Sequence, residues 1–165
     1  MPILDPLSVE FISRGADHTR RIGMRLGALL QRGDVVCLVG DLGSGKTTLV
    51  QGLAAGWGSL DLATSPTFVL VNLYRRLDGE RFFHLDAYRI NDAREAEELD
   101  LDNMIENGVL VVEWAERIEA ALPSENLRIT LRWVNANQRD LIFTPRGERY
   151  QALLSSLRTR VYGGV

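Results

Sequence analysis

Gly40, Asp41, Leu42, Gly43, Ser44, Gly45, Lys46 and Thr47 fit the spacing G-x-x-x-x-G-K-[ST] without interruption. That spacing does phosphate chemistry. The glycines let successive backbone N–H groups turn toward the same phosphate oxygens, the lysine adds a positive charge, and the final hydroxyl is a hard oxygen suited to Mg²⁺. The expected nucleotide contacts are Asp41, Leu42, Gly43, Ser44, Gly45, Lys46, Thr47 and Thr48. Composition singles out the lysine again: among 19 lysine and arginine residues, Lys46 alone is a lysine. A compact ammonium on a flexible stem follows phosphates as a point charge, whereas a planar guanidinium is bulkier and differently shaped.

Two carboxylates end apolar runs further along. Asp86 lies in His84-Leu85-Asp86-Ala87-Tyr88-Arg89, and Glu113 closes Val109-Leu110-Val111-Val112. The end of an apolar strand is where a phosphate-loop protein places the acid that holds Mg²⁺ or its waters. The run before Glu113 is the more completely apolar, so Glu113 is expected to join Thr47 at the metal, with Asp86 orienting water or standing one shell out. Lys46, Asp86 and Glu113 are thus the expected catalytic groups. Trp114 fits either a ring beside the site or a core position. Between loop and carboxylates, Ser65-Pro66-Thr67 offers two hydroxyls on a stiff bend, suited to sensing a γ-phosphate through Mg²⁺ or to an ordinary connection.

These residues need particular elements to position them. Val35 to Val39 read as a strand buried on both faces, and Leu49, Val50, Leu53, Ala54 and Trp57 recur at helical spacing until Gly56 and Gly58. The loop therefore joins a strand to a helix N-terminus, where the helix dipole adds to the amide cradle. Residues 9–12 suggest a short strand, and 17–31 a helix stopped by Gly33. Residues 68–74 and 81–87 suggest a β-hairpin around Asp78-Gly79. Asp92 and Glu95 resemble a capping box opening a helix to about residue 99, and its acidic face reads as solvated. Asn107-Gly108 reads as a turn into a central parallel strand, 109–114. A short helix over 115–122 stops at Pro123, residues 127–133 alternate as a half-wet strand, 135–138 turn, 141–143 pair back, and a last helix spans 147–157. The expected fold is α/β: a three-layer fold of the P-loop NTPase kind, with a mainly parallel central sheet plus antiparallel hairpins.

At 165 residues, 45% hydrophobic and 25% charged, the chain suits one domain with an adequate core. A single cysteine, Cys37, lies in an apolar run and suits a reducing compartment. With no basic leader or long apolar stretch, the expected location is cytoplasmic, without membrane contact. A net charge of −3 leaves no general basic surface for nucleic acid, so any RNA contact is expected to need a local patch or a helper protein.

Taken in order, the phosphate loop, Ser65-Pro66-Thr67-Phe68, His84-Leu85-Asp86-Ala87-Tyr88-Arg89 and Val112-Glu113-Trp114 resemble the bacterial TsaE family, the ATPase component in biosynthesis of the tRNA modification threonylcarbamoyladenosine. The resemblance spans nearly the whole chain. It implies binding of ATP and Mg²⁺, slow hydrolysis by the protein alone, and work with a TsaB–TsaD heterodimer through which tRNA is reached. It also implies a switch at Ser65 to Phe68, and a nucleotide base near Asp17 and Asn135-Ala136. The competing reading from the same site is a kinase acting on a small metabolite or nucleotide, although no arginine-bearing lid of convincing length is present. A regulatory GTPase requires Asn-Lys-x-Asp, which a chain whose lone lysine follows Gly45 does not contain.

Overall fold

A strand that is apolar at every position must be covered on both faces, and this demand organises the molecule. The computed structural model describes residues 6–41, 43–63 and 70–162. In chain order it contains β1 (Val9–Ser13), α1 (Ala16–Gly27), β2 (Val35–Gly40), α2 (Lys46–Trp57), β3 (Val71–Arg75), β4 (Arg81–Asp86), α3 (Ala93–Glu97), α4 (Leu101–Asn107), β5 (Gly108–Glu113), β6 (Asn126–Asn135), β7 (Gln138–Arg146) and α5 (Glu148–Tyr162). The strands form one sheet in the order β1-β7-β6-β2-β5-β4-β3. Its middle, β6-β2-β5-β4, is parallel, and β1, β7 and β3 add antiparallel at the sides.

Alternation along the central strands builds two cores. Val36, Leu38, Val109, Val111, Leu127 and Ile129 pack with residues of α1, α2 and α5, including Leu26, Leu53 and Leu157. Val35, Cys37, Leu110 and Val112 face the other way, toward Ala96, Leu101 and Ile118. The result is the expected three-layer α/β fold. Among the described residues, no helix is long and apolar enough to cross a membrane.

Several boundaries differ from the sequence expectation for local reasons. The first helix ends at Gly27 and not at 31, because Leu29 and Leu30 donate to Leu26 and Gly27 in a tighter winding, and the Asp34 carboxylate accepts from the Gln31 N–H at 2.7 Å. Segment 115–122 is two 3₁₀ turns and not one helix. Trp114 enters it in the left-handed region, and Ile118, fully buried, interrupts it at φ −131°. The helix expected to reach 99 stops at Glu97, capped by Asp92, whose carboxylate accepts from the Glu95 N–H at 3.0 Å. A further helix, α4, then runs directly into β5, so Asn107-Gly108 is a helix end rather than a free turn. Strand β7 and helix α5 both extend beyond the ranges expected for them. The expected strand start at Phe68 lies outside the described residues, and the strand seen begins at Val71.

The second helix runs through Gly56, which the sequence suggested would help end it, and terminates at Gly58 with φ 103°. Gly56 is needed for another reason. A Cβ there would collide with the Met24 carbonyl of α1, and a Cβ on Gly27 would collide with the Leu53 carbonyl of α2. The two helices thus meet backbone to backbone, which fixes where α2 begins. In an ordinary helix interior, glycine to alanine stabilises by about 1 kcal/mol. Here the sign reverses: Gly56→Ala is expected to destabilise by about 1–3 kcal/mol through overpacking, read as a lower urea midpoint with unchanged slope.

Candidate functional site

The loop leaves β2 at Gly40 and enters α2 through Gly45, which takes φ 104°, a conformation that side chains resist. Among the described residues, no side chain caps α2. Its first N–H groups therefore lack the usual hydroxyl or carboxylate partner and form a ready site for an anion. A cleft of about 470 Å³ opens there, lined on this side by Gly43, Gly45, Lys46, Thr47 and Thr48. Leu42 lies outside the described residues. Asp41 and Ser44 do not line the cleft and serve the loop itself: the Asp41 carbonyl accepts from Ser44 N–H at 3.1 Å, and Ser44 is buried.

Lys46 is 6% exposed. Its Nζ donates to the carbonyls of Gly40 at 2.5 Å and Asp41 at 2.8 Å, and it lies 4.1 Å from the centroid of the Trp114 ring. Burial pulls the ammonium below the usual lysine range, opposed by the carboxylates of Glu113, Glu116, Asp41 and Asp86. Trp114 holds this place because its backbone turns at φ 59° straight after β5. Tyr88 packs on it with ring centroids 4.9 Å apart, and Arg117 lies over both rings.

The two carboxylates arrive together by strand register. Asp86 and Glu113 are paired positions on the parallel neighbours β4 and β5, and both line the cleft. Glu113 is buried and accepts from the Thr47 hydroxyl at 3.4 Å. Asp86 sits further out and accepts from Tyr88 N–H at 3.0 Å. Burial raises its carboxyl above the ordinary range; the Tyr88 hydrogen bond opposes this, Glu113 adds to it, and His84 and Lys46 oppose it. Thr47 and Glu113 together present two hard oxygens, a set that suits Mg²⁺, which keeps several waters and takes remaining ligands from phosphate.

The far end of the cleft is lined by Gly15, Ala16 and Thr19 from the start of α1, and by Ala136, Asn137 and Arg139 from the β6–β7 hairpin. Of the positions suggested for a base, Ala136 is there. Asp17 is not: it points to solvent and pairs with Arg20 at 2.7 Å, while the Asn135 carboxamide is used by the Asn137 N–H at 2.8 Å. Arg139 carries no motif in the sequence. Hairpin pairing alone brings its guanidinium to the Asn135 carbonyl at 2.6 Å and to the Gly43 carbonyl at 3.4 Å, tying the hairpin to the phosphate loop. The segment expected to act as a switch, Ser65-Pro66-Thr67-Phe68, lies outside the described residues.

Because the Asp86 carboxyl is raised by burial, the fold binds its proton more tightly than the unfolded chain does. Its ionised form therefore costs stability, fully above the folded pKa and not at all below the unfolded one. Asp86→Asn, which can keep the bond from Tyr88, is expected to raise the melting temperature at pH 7, with the gain shrinking toward pH 4. Paired thermal melts across that range check it.

The family model for the threonylcarbamoyl adenosine biosynthesis protein TsaE matches residues 13–141. The tRNA threonylcarbamoyladenosine biosynthesis protein TsaE of Bacillus subtilis (strain 168) is 40% identical over 143 residues, covering 86% of this chain and 88% of that protein. Its namesake from Streptomyces coelicolor is 45% identical over 114 residues, covering 68% and 77%. The crystal structure of YdiB from Bacillus subtilis matches with a TM-score of 0.78 at 33% identity, over 93% of this chain and 96% of that one. With the cleft, the sheet order and the strand-end carboxylates in place, the chain belongs to the TsaE family of tRNA threonylcarbamoyladenosine biosynthesis proteins.

Proposed function

We propose that this protein binds ATP with Mg²⁺ and hydrolyses it in support of threonylcarbamoyladenosine formation on tRNA, acting with a TsaB–TsaD heterodimer. The observation that carries the reading is the convergence of the Thr47 hydroxyl and the Glu113 carboxylate, 3.4 Å apart, beside the uncapped start of α2 and the Lys46 ammonium.

Each residue then has a role. The loop amides of Gly43, Gly45, Lys46, Thr47 and Thr48 bind phosphate oxygens. Lys46 waits on neutral carbonyls, which an anionic phosphate oxygen outcompetes. Thr47 and Glu113 would hold Mg²⁺, which when bound neutralises charge on the β- and γ-phosphates. Asp86, in the same cleft, orients water. Gly15, Ala16, Thr19, Ala136 and Asn137 form the wall left for the base and sugar. Adenine is favoured over guanine because the chain has no Asn-Lys-x-Asp. The overall charge of −3 supports reaching tRNA through the partner pair.

Lys46→Ala is expected to weaken ATP binding at least about tenfold by titration with a fluorescent nucleotide. Glu113→Ala is expected to hold nucleotide affinity within a few-fold and to lower Mg²⁺-dependent turnover by about 10²-fold. Unchanged turnover in Glu113→Ala, alongside loss in Asp86→Ala, would reverse the order assigned to the two acids. Turnover is also expected to rise when TsaB and TsaD are added, while tight binding of naked tRNA by the isolated chain counts against the partner route.

A further inference from the structure

Phe82, His84 and Asp86 alternate along one face of β4, and Tyr74 stands opposite Phe82 across the β3–β4 hairpin. That face lies beneath α2, since Tyr74 and Phe82 share a core with Leu49, Leu53 and Trp57. The same alternation that brings Asp86 into the cleft therefore places a histidine two residues earlier, under the phosphate-loop helix. His84 is fully buried and does not line the cleft. Both of its ring nitrogens are matched: Nδ1 lies 2.9 Å from the Tyr74 hydroxyl and Nε2 lies 2.5 Å from Glu113 Oε2.

An ionised carboxylate only accepts hydrogen bonds, so Nε2 carries the hydrogen and donates it. The two oxygens of Glu113 are thereby divided. Oε2 is anchored on the buried side by His84, and Oε1 is left for the Thr47 hydroxyl at the cleft. We infer that His84, itself oriented by Tyr74, is a positioning residue that fixes the Glu113 carboxylate so that Oε1 is presented beside Thr47 to a bound divalent cation. The inference rests on the Mg²⁺–nucleotide reading of the cleft.

A glutamate side chain is rich in rotamers, and fixing it beforehand removes an ordering cost from metal binding. Partners one shell behind a metal ligand act in this way, and their removal lowers metal affinity or activity by about 10–100-fold. A histidine that merely filled volume would be replaced without loss by an apolar side chain of similar size.

Mn²⁺ serves as a probe, titrated by electron paramagnetic resonance into the full chain with saturating ADP. Metal-free ADP affinity is measured in parallel. His84→Leu is expected to weaken Mn²⁺ binding about tenfold or more while metal-free ADP affinity stays within about twofold. His84→Gln places an amide N–H where Nε2 stood and is expected to recover most of the loss. Tyr74→Phe keeps the ring but removes the hydroxyl that meets His84 Nδ1, and is expected to weaken Mn²⁺ about threefold. Wild-type Mn²⁺ affinity in His84→Leu, or glutamine performing no better than leucine, overturns the inference and leaves the nucleotide reading standing. Should the leucine variant fail to fold by circular dichroism, unchanged Mn²⁺ affinity in Tyr74→Phe overturns it. A wild-type protein that takes up no Mn²⁺ with ADP overturns the nucleotide reading and this inference with it.

Discussion

The register of β2 against β5 sets Leu38 beside Glu113, and the rest of the site depends on it. Two residues past Leu38 the chain leaves the sheet at Gly40 and curls into the phosphate loop. The buried carboxylate of β5 therefore ends level with the loop's root and within reach of Thr47. Side chains alternate along a strand, so a slip of one residue would turn Glu113 toward the opposite core. The apolar positions Val109 to Val112, packed into both cores, resist such a slip, because each shift would exchange every contact they make.

The helix that follows the loop is held as firmly as the strand before it. At the α1–α2 crossing Gly56 meets the Met24 carbonyl and Gly27 the Leu53 carbonyl, with no side chain able to intervene. This close approach has a consequence for the cleft. It brings the start of α1, with Gly15, Ala16 and Thr19, to the same opening as the start of α2. The β6–β7 hairpin reaches that opening from the other side, through Arg139 and the Gly43 carbonyl. One pocket is thus assembled from segments far apart in the chain, with the phosphate loop at its centre.

Inside the cleft, charge and aromatic surface are interleaved. Lys46 is surrounded by carbonyls, the Trp114 ring and several carboxylates, which together offset part of the cost of burying an ammonium. Glu113 is buried as well, yet neither of its oxygens is left without a donor, since His84 and Thr47 supply one each. Among the described residues, Asp86 has a backbone N–H, that of Tyr88, as its only direct hydrogen-bonding partner there, and burial raises its carboxyl against that bond. Two acids that look alike in the sequence are in this way made chemically unequal by their surroundings.

The phosphate loop, the buried strand before it and the two strand-end acids were legible from residue types and spacing, because those features are local: periodicity, glycine placement and apolar runs act over a few residues. The three-layer fold followed from the same runs. Helix ends were less legible, as with the tight turn after Gly27 and the 3₁₀ turns after Trp114, where Asp34 and the buried Ile118 override the local pattern. Nothing local marks Arg139 as a cleft residue, or distinguishes His84 from any strand histidine. The first acquires its place through hairpin pairing, the second through neighbours on β3 and β5. The amino-acid sequence by itself thus determined which chemistry the loop and acids can carry, since that depends on functional groups and short spacing. Only the tertiary structure decided which side chains share the cleft and which stand behind them, since that depends on strand register and helix crossing between distant segments.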